Sequence, residues 1–168
     1  MIGKARRTSL ERALILGAAS ALVLAVALGA FWIDAQWRLR LPDGLHWPGI
    51  LALAVGLALI VWAEATLLRV AHSPGGFSDA PAALVAQGPY RHVRNPIYLG
   101  GFGVLLGLSW WRASPTLMVA ALLFLPGMHV MVTRLEEPAT RARLGAAYQD
   151  YLQRVPRWLP RLRRTGGG

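Results

Sequence analysis

The stretch PIYLGGFGVLLGLSWWRASPTLMVAALLFLPGMHVMVT, residues 96–133, holds two apolar runs separated by one short break. Pro96 to Trp111 carries no charge, and Pro115 to Thr133 carries a single ionisable group, His129. Between them stand Arg112, Ala113 and Ser114. Serine suits a helix N-cap and proline the first helical turn, so Ser114-Pro115 marks a new helix start. The break is long enough only for a tight turn, and the pattern predicts a helical hairpin over 96–133. At 1.5 Å per residue the first arm is about 24 Å long, against a bilayer core of about 30 Å. It can span by packing beside longer helices where the bilayer thins.

Two further apolar runs lie upstream. Ala13 to Ile33 has no charge, and Trp47 to Leu68 is interrupted only by Glu64. The expectation is an all-α, polytopic integral membrane bundle of about four transmembrane helices. Lys4, Arg6 and Arg7 before an apolar run imitate a signal peptide. That run is longer than a signal core, and no small-x-small cleavage site ends it before Trp32 and Trp37, so it reads as a retained helix.

Composition agrees. Of 168 residues, 55% are hydrophobic and 15% charged, too apolar for an ordinary soluble domain and short enough for one domain only. The absence of cysteine excludes disulfides, thiolate nucleophiles and cysteine–zinc sites. Four scattered histidines show no ligand spacing, so no metal is expected. The net charge of +10 would point to nucleic acid on a soluble protein. Here the basic residues flank apolar runs, and membrane lipids, not nucleic acid, are the expected partner.

The positive-inside rule orients the chain. Lys4, Arg6, Arg7, Arg12, Arg69, Arg91, Arg94 and the arginines from Arg134 onward lie in the N-terminal tail, the central loop and the C-terminal tail. The other two loops hold only Arg38, Arg40 and Arg112. Both termini are therefore expected in the cytoplasm, most simply across a bacterial inner membrane. The expected organisation is a single membrane domain. Residues 1–69 form two transmembrane helices, 70–95 a cytoplasmic loop, 96–133 the hairpin, and 134–168 a cytoplasmic segment completing a site. Trp32, Trp37, Trp47, Trp110 and Trp111 form an interfacial belt at the far ends. Gly100, Gly103 and Gly107 read as close-packing positions. After Pro138 the tail reads as an amphipathic helix with Leu144, Tyr148, Tyr151 and Leu152 on one face.

Polar residues within apolar helices are functional candidates. Glu64, His129, Arg134, Glu136, Glu137 and the group Tyr90, Arg91, His92, Arg94, Asn95 and Tyr98 all fall at one depth. Asn95 before Pro96 reads as the cap of a sharply started helix, whose free N–H groups suit a carboxylate or phosphate. Simple capping explains the same residues. Glu136 and Glu137 can hold an ammonium or hydroxyls; pairing with Arg134 or Arg141 is the plainer alternative.

The run Gly88-Pro-Tyr-Arg-His-Val-Arg-Asn-Pro-Ile-Tyr-Leu-Gly100, then Glu136-Glu137-Pro138, Gly145-x-x-Tyr148-x-x-Tyr151 and Val155-Pro-Arg-Trp-Leu-Pro160 closely resembles the isoprenylcysteine carboxyl methyltransferase-like family. The phospholipid methyltransferases are related. The resemblance covers residues 84–160 and implies a membrane methyltransferase that uses S-adenosylmethionine at the cytoplasmic face. It implies that Tyr90, Asn95, Pro96 and Tyr98 carry one half of the cofactor pocket, lined by Leu84 and Val85. Glu136 and Glu137 carry the other half, with Glu136 the first choice for cofactor contact and Tyr148 and Tyr151 in support. Asn95 stands where some members have histidine, and asparagine cannot transfer a proton near neutral pH. Arg134 lies nearest to the family's substrate-contacting arginine. An acceptor that must lose a proton can need a base, for which Glu64 and His129 are the candidates. The acceptor expected is a lipophilic small molecule or lipid; the atom methylated and the oligomeric state stay open. Two other functions compete: a non-catalytic scaffold or ligand sensor that keeps the pocket, and a membrane reductase with a related hairpin.

Overall fold

The computed structural model describes residues 25, 26, 28–38, 40, 41, 44, 46–71 and 84–160. The expected first helix before residue 25, the loop 72–83 and the tail after 160 lie outside the described residues. Among these the chain is all-helical, with no strand. Helix α1 covers 28–37. Then come α2 (His46–Ala71), a short 3-10 turn (Gly88–Arg91), α3 (Pro96–Trp111) and α4 (Pro115–Met131). A π-helical turn (Val132–Glu136) leads into α5 (Glu137–Leu144), and α6 is Ala146–Arg154.

Two helices, His46–Val70 and Pro115–Leu144, are long and apolar enough to cross a membrane; Pro96–Trp111 is apolar but shorter. The core helix of a soluble protein would be mostly buried. These instead expose Leu51, Val55, Val61 and Trp62 on α2, and Val119, Leu122, Leu123 and Val130 on α4. Such continuous apolar surface is costly in water and neutral in lipid.

Glycines decide how α2 meets α3. Gly49 lies against Gly107 and Trp111, whereas Gly56 lies against Gly100 and Gly103, so the helices run antiparallel with their backbones nearly touching. A methyl group on Gly56 would stand 2.7 Å from both the Gly100 carbonyl oxygen and the Val104 nitrogen. Close approach of this kind replaces the hydrophobic effect as the packing force in lipid. On its other side α3 meets α4 through Leu105, Leu117 and Ala121, a core that also takes in Ala30 of α1.

The turn after α3 is built as expected at Ser114, whose hydroxyl accepts from Leu117 N–H at 3.1 Å. The same hydroxyl donates to Asp34, which also accepts from the Thr116 hydroxyl and, at 3.2 Å, from Thr116 N–H. A buried carboxylate thus sits on the positive end of α4 and ties α1 to it. Nothing in the local pattern singles out Asp34, because its partners are about eighty residues away.

The far end of α4 departs from the expected stop at Thr133. The helix continues to Leu144 through the π turn, in which Glu137 N–H reaches back to the Val132 carbonyl. Pro138 explains the wider turn: it has no N–H for the Arg134 carbonyl, and its ring crowds that oxygen. The single amphipathic tail helix is also two helices, broken at Gly145, whose φ of 58° lies in the left-handed region that favours glycine.

Replacing Gly56 with leucine should force α2 and α3 apart and lower stability by at least about 1–3 kcal/mol, the usual cost of overpacking. Gly127→Ala, where an added methyl meets open space, should leave the melting temperature in detergent unchanged or raised.

Candidate functional site

Everything at one end of α3 is organised by backbone. Gly88 opens the 3-10 turn with φ of 53°, and a side chain there would strike Thr66 of α2. Thr66 is itself buried and donates to the Trp62 carbonyl at 2.8 Å. Tyr151 of α6 donates its hydroxyl to the Tyr90 carbonyl at 2.7 Å, and Arg94 N–H donates to the Pro156 carbonyl at 2.9 Å. The loop before α3 and the segment after α6 are thus stitched together. Tyr148, Tyr151 and Val155 form a small core with Leu84, Leu144 and Leu152 against it. Burial pushes the Tyr151 phenol well above its ordinary pKa, with Tyr148 beside it adding to the effect.

Glu137 stands at the centre. Arg94 Nη1 donates to its Oε1 at 2.7 Å. Arg157 approaches in a fork, Nε to Oε1 and Nη2 to Oε2, both at 2.9 Å. The Glu137 and Arg94 side chains are each only 11% exposed. Its hydrogen bond to Glu137 raises the Arg157 pKa, keeping that cation charged. The cations on Glu137 are therefore Arg94 and Arg157 rather than Arg134 or Arg141. Both arginines stand inside the quoted motifs, but motif membership does not say which carboxylate they meet.

Glu136 faces differently. Its Oε1 accepts the Tyr98 hydroxyl of α3, and no ion pair holds it among the described residues. Asn95 corrects one expectation: its side chain makes no capping bond to α3, and its φ of −124° and ψ of 59° do not place it for one. Its Nδ2, like the neighbouring Arg94 Nε, is buried with no hydrogen-bond partner. Two consecutive residues at the start of α3 thus each hold an unspent buried donor. Pro96 is fully buried, which forms the first turn without demanding an acceptor.

The structure brings Tyr90, Asn95, Pro96, Tyr98, Glu136 and Glu137 to this one end, with Leu84 packed under it and Val85 half-buried beside Leu84. Glu64, half-buried on α2, lies close enough to raise the Tyr90 phenol further, after burial has done most of it. Arg134 is exposed and forms no ion pair with either glutamate. His129 is exposed too, and its Nδ1 accepts from Trp158 Nε1 at 3.1 Å. An indole N–H can only donate, so a neutral His129 carries its proton on Nε2.

An apolar helical bundle with an arginine–carboxylate cluster between its α3 start and its C-terminal segment defines the class. The phospholipid methyltransferase family model matches residues 45–147, and the chain belongs to that family. Two curated relatives match shorter stretches. The nickel-cobalt-cadmium resistance protein NccN of Alcaligenes xylosoxydans xylosoxydans is 34% identical over 79 residues, which is 47% of this chain and 37% of that protein. Methanethiol S-methyltransferase 2 of Bradyrhizobium diazoefficiens is 39% identical over 76 residues, 44% of this chain and 27% of that protein. The matched stretches thus span well under half the length of either relative.

Arg157→Gln removes two charge-assisted hydrogen bonds while Arg94 stays paired with Glu137, and should cost about 1.5–3 kcal/mol. Limited proteolysis should then cut between residues 145 and 160 faster than in the parent protein. Tyr151→Phe, which loses one hydrogen bond, should cost about 1 kcal/mol.

Proposed function

We propose that this chain is an integral membrane methyltransferase that uses S-adenosylmethionine and acts on a lipophilic small-molecule or lipid-like acceptor at the cytoplasmic interface. The observation that carries this reading is the division of labour between two adjacent carboxylates. Glu137 is paired with two arginines, whereas Glu136 accepts the Tyr98 hydroxyl and has no ion pair among the described residues. Family membership supports the reaction class.

The residues present fit the donor. Asn95 Nδ2 and Arg94 Nε are unspent donors suited to its carboxylate. Glu136 can hold its ammonium, and the faces of Tyr90 and Tyr98 suit adenine or a cationic sulfur. When bound, the group supplies a methyl on a positively charged sulfur, ready for in-line displacement. The protein's own task is to align the acceptor and exclude water. In this reading Tyr98 holds Glu136 in place, and the Arg94–Glu137–Arg157 cluster closes the C-terminal segment over the loop.

A carboxylate acceptor needs no base; an amine or thiol has a proton to lose. Glu64 is the base we assign, because it lies beside Tyr90 at the site. His129 has its Nδ1 engaged and its Nε2 protonated, and Arg134 remains a candidate for acceptor contact only. We place four spans in the membrane, with α3 and α4 as a hairpin and both termini in the cytoplasm.

Isothermal calorimetry in nanodiscs tests the reading. Micromolar S-adenosylmethionine binding should weaken at least about tenfold, roughly 1.4 kcal/mol, in Glu136→Ala and in Tyr98→Ala. Well-folded parent protein that binds none of it sinks the proposal. Glu64→Gln should bind the donor normally and lose turnover with amine or thiol acceptors; full turnover in that variant removes Glu64 from its role.

A further inference from the structure

The other end of α3 holds a cavity of about 350 Å³, lined by Phe31, Asp34, Arg38, Arg40, Arg112 and Ser114. Three elements converge there: the end of α1, the chain leading to α2, and the turn between α3 and α4. Leu41 N–H donates to the Ala113 carbonyl at 2.9 Å, locking the two turns together. Arg38 and Ala113 sit in the left-handed region, at φ 52° and 51°, a strain that neither side chain favours. The carboxylate in the wall is already occupied, since both Asp34 oxygens accept from Ser114 and Thr116. Arg112 lies over the Phe31 ring, 5.4 Å from its centroid. None of the three arginines forms an ion pair among the described residues.

We propose that this cavity binds the phosphate of a phospholipid headgroup. Three arginines line a concavity whose acid among the described residues, Asp34, is spent on hydroxyl and amide donors, which leaves the described wall with an excess of positive charge suited to an anion. Guanidinium forks match phosphate oxygens in shape as well as charge. The depth names the source. Exposed Trp32, Trp37, Trp47 and Trp111 ring this end, as tryptophans do at headgroup level, and lipid phosphate is the anion concentrated there. The site is separate from the Glu136 end by the length of α3 and does not depend on methyl transfer.

The test is native mass spectrometry of the full chain released from mixed micelles that contain phosphatidylglycerol and phosphate-free diacylglycerol in equal amounts. Phosphatidylglycerol should be retained in preference. Arg38→Gln/Arg40→Gln/Arg112→Gln should cut that retention at least about tenfold, whereas Arg141→Gln/Arg143→Gln/Arg154→Gln at the other end should not. Equal loss in both variants, or no loss in the first, overturns the site. Helical circular dichroism and elution volume report folding without reference to activity. If the triple variant fails them, Arg40→Gln/Arg112→Gln is read in its place, with a loss of about threefold expected. Inorganic phosphate titrated in lipid-free detergent is the second arm. Submillimolar binding that the arginine variant loses would make the ligand a soluble phosphate and overturn the lipid assignment.

Discussion

A single carboxylate, Glu137, closes the structure at one end. Its guanidinium partners come from 43 residues before it and 20 residues after it, so one ionic cluster joins the loop before α3, the end of the long fourth helix and the C-terminal segment. Burying such a cluster is favourable only when every charge is matched and hydrogen-bonded. Two arginines on one acid leave a net cation, and the unpartnered Arg94 Nε and Asn95 Nδ2 show donors still to be satisfied. The order of the cluster and its appetite for an anion have the same origin.

The two glutamates meet different partners at the π turn. Adjacent residues on a regular helix point about 100° apart, so neighbouring carboxylates can meet different partners. With Pro138 widening the last turn, Glu136 meets Tyr98 of α3 while Glu137 turns to the arginines. At the opposite end another buried acid does the comparable work without an arginine. Asp34 uses hydroxyl and amide donors, and Arg38, Arg40 and Arg112 line a cavity beside it with no ion pair among the described residues. Between the two ends the bundle is held by glycine contacts, which tolerate almost no added volume.

Much of the helix layout was legible from residues alone. The apolar runs at 47–68 and 96–111 lie in α2 and α3, and Ser114-Pro115 starts α4 with the bond its side chains imply. These features depend on neighbours within a few positions, where composition and local hydrogen bonding leave few choices. The end of α4 was not legible, because a π turn answers to the proline that follows it and to the contacts of both glutamates. Asn95 has the right chemistry for a cap but makes no capping bond, and its amide nitrogen is buried without a partner.

The sequence by itself determined an apolar helical chain of a recognisable family, and it marked which polar residues share a depth. Only the tertiary structure decided which of them touch. Long-range pairs such as Arg94 with Glu137, or Asp34 with Ser114, follow from how helices separated by dozens of residues are brought together by close glycine packing. No local pattern carries that information, because a charge in sequence has many possible partners and in a folded bundle has only those within about 3 Å.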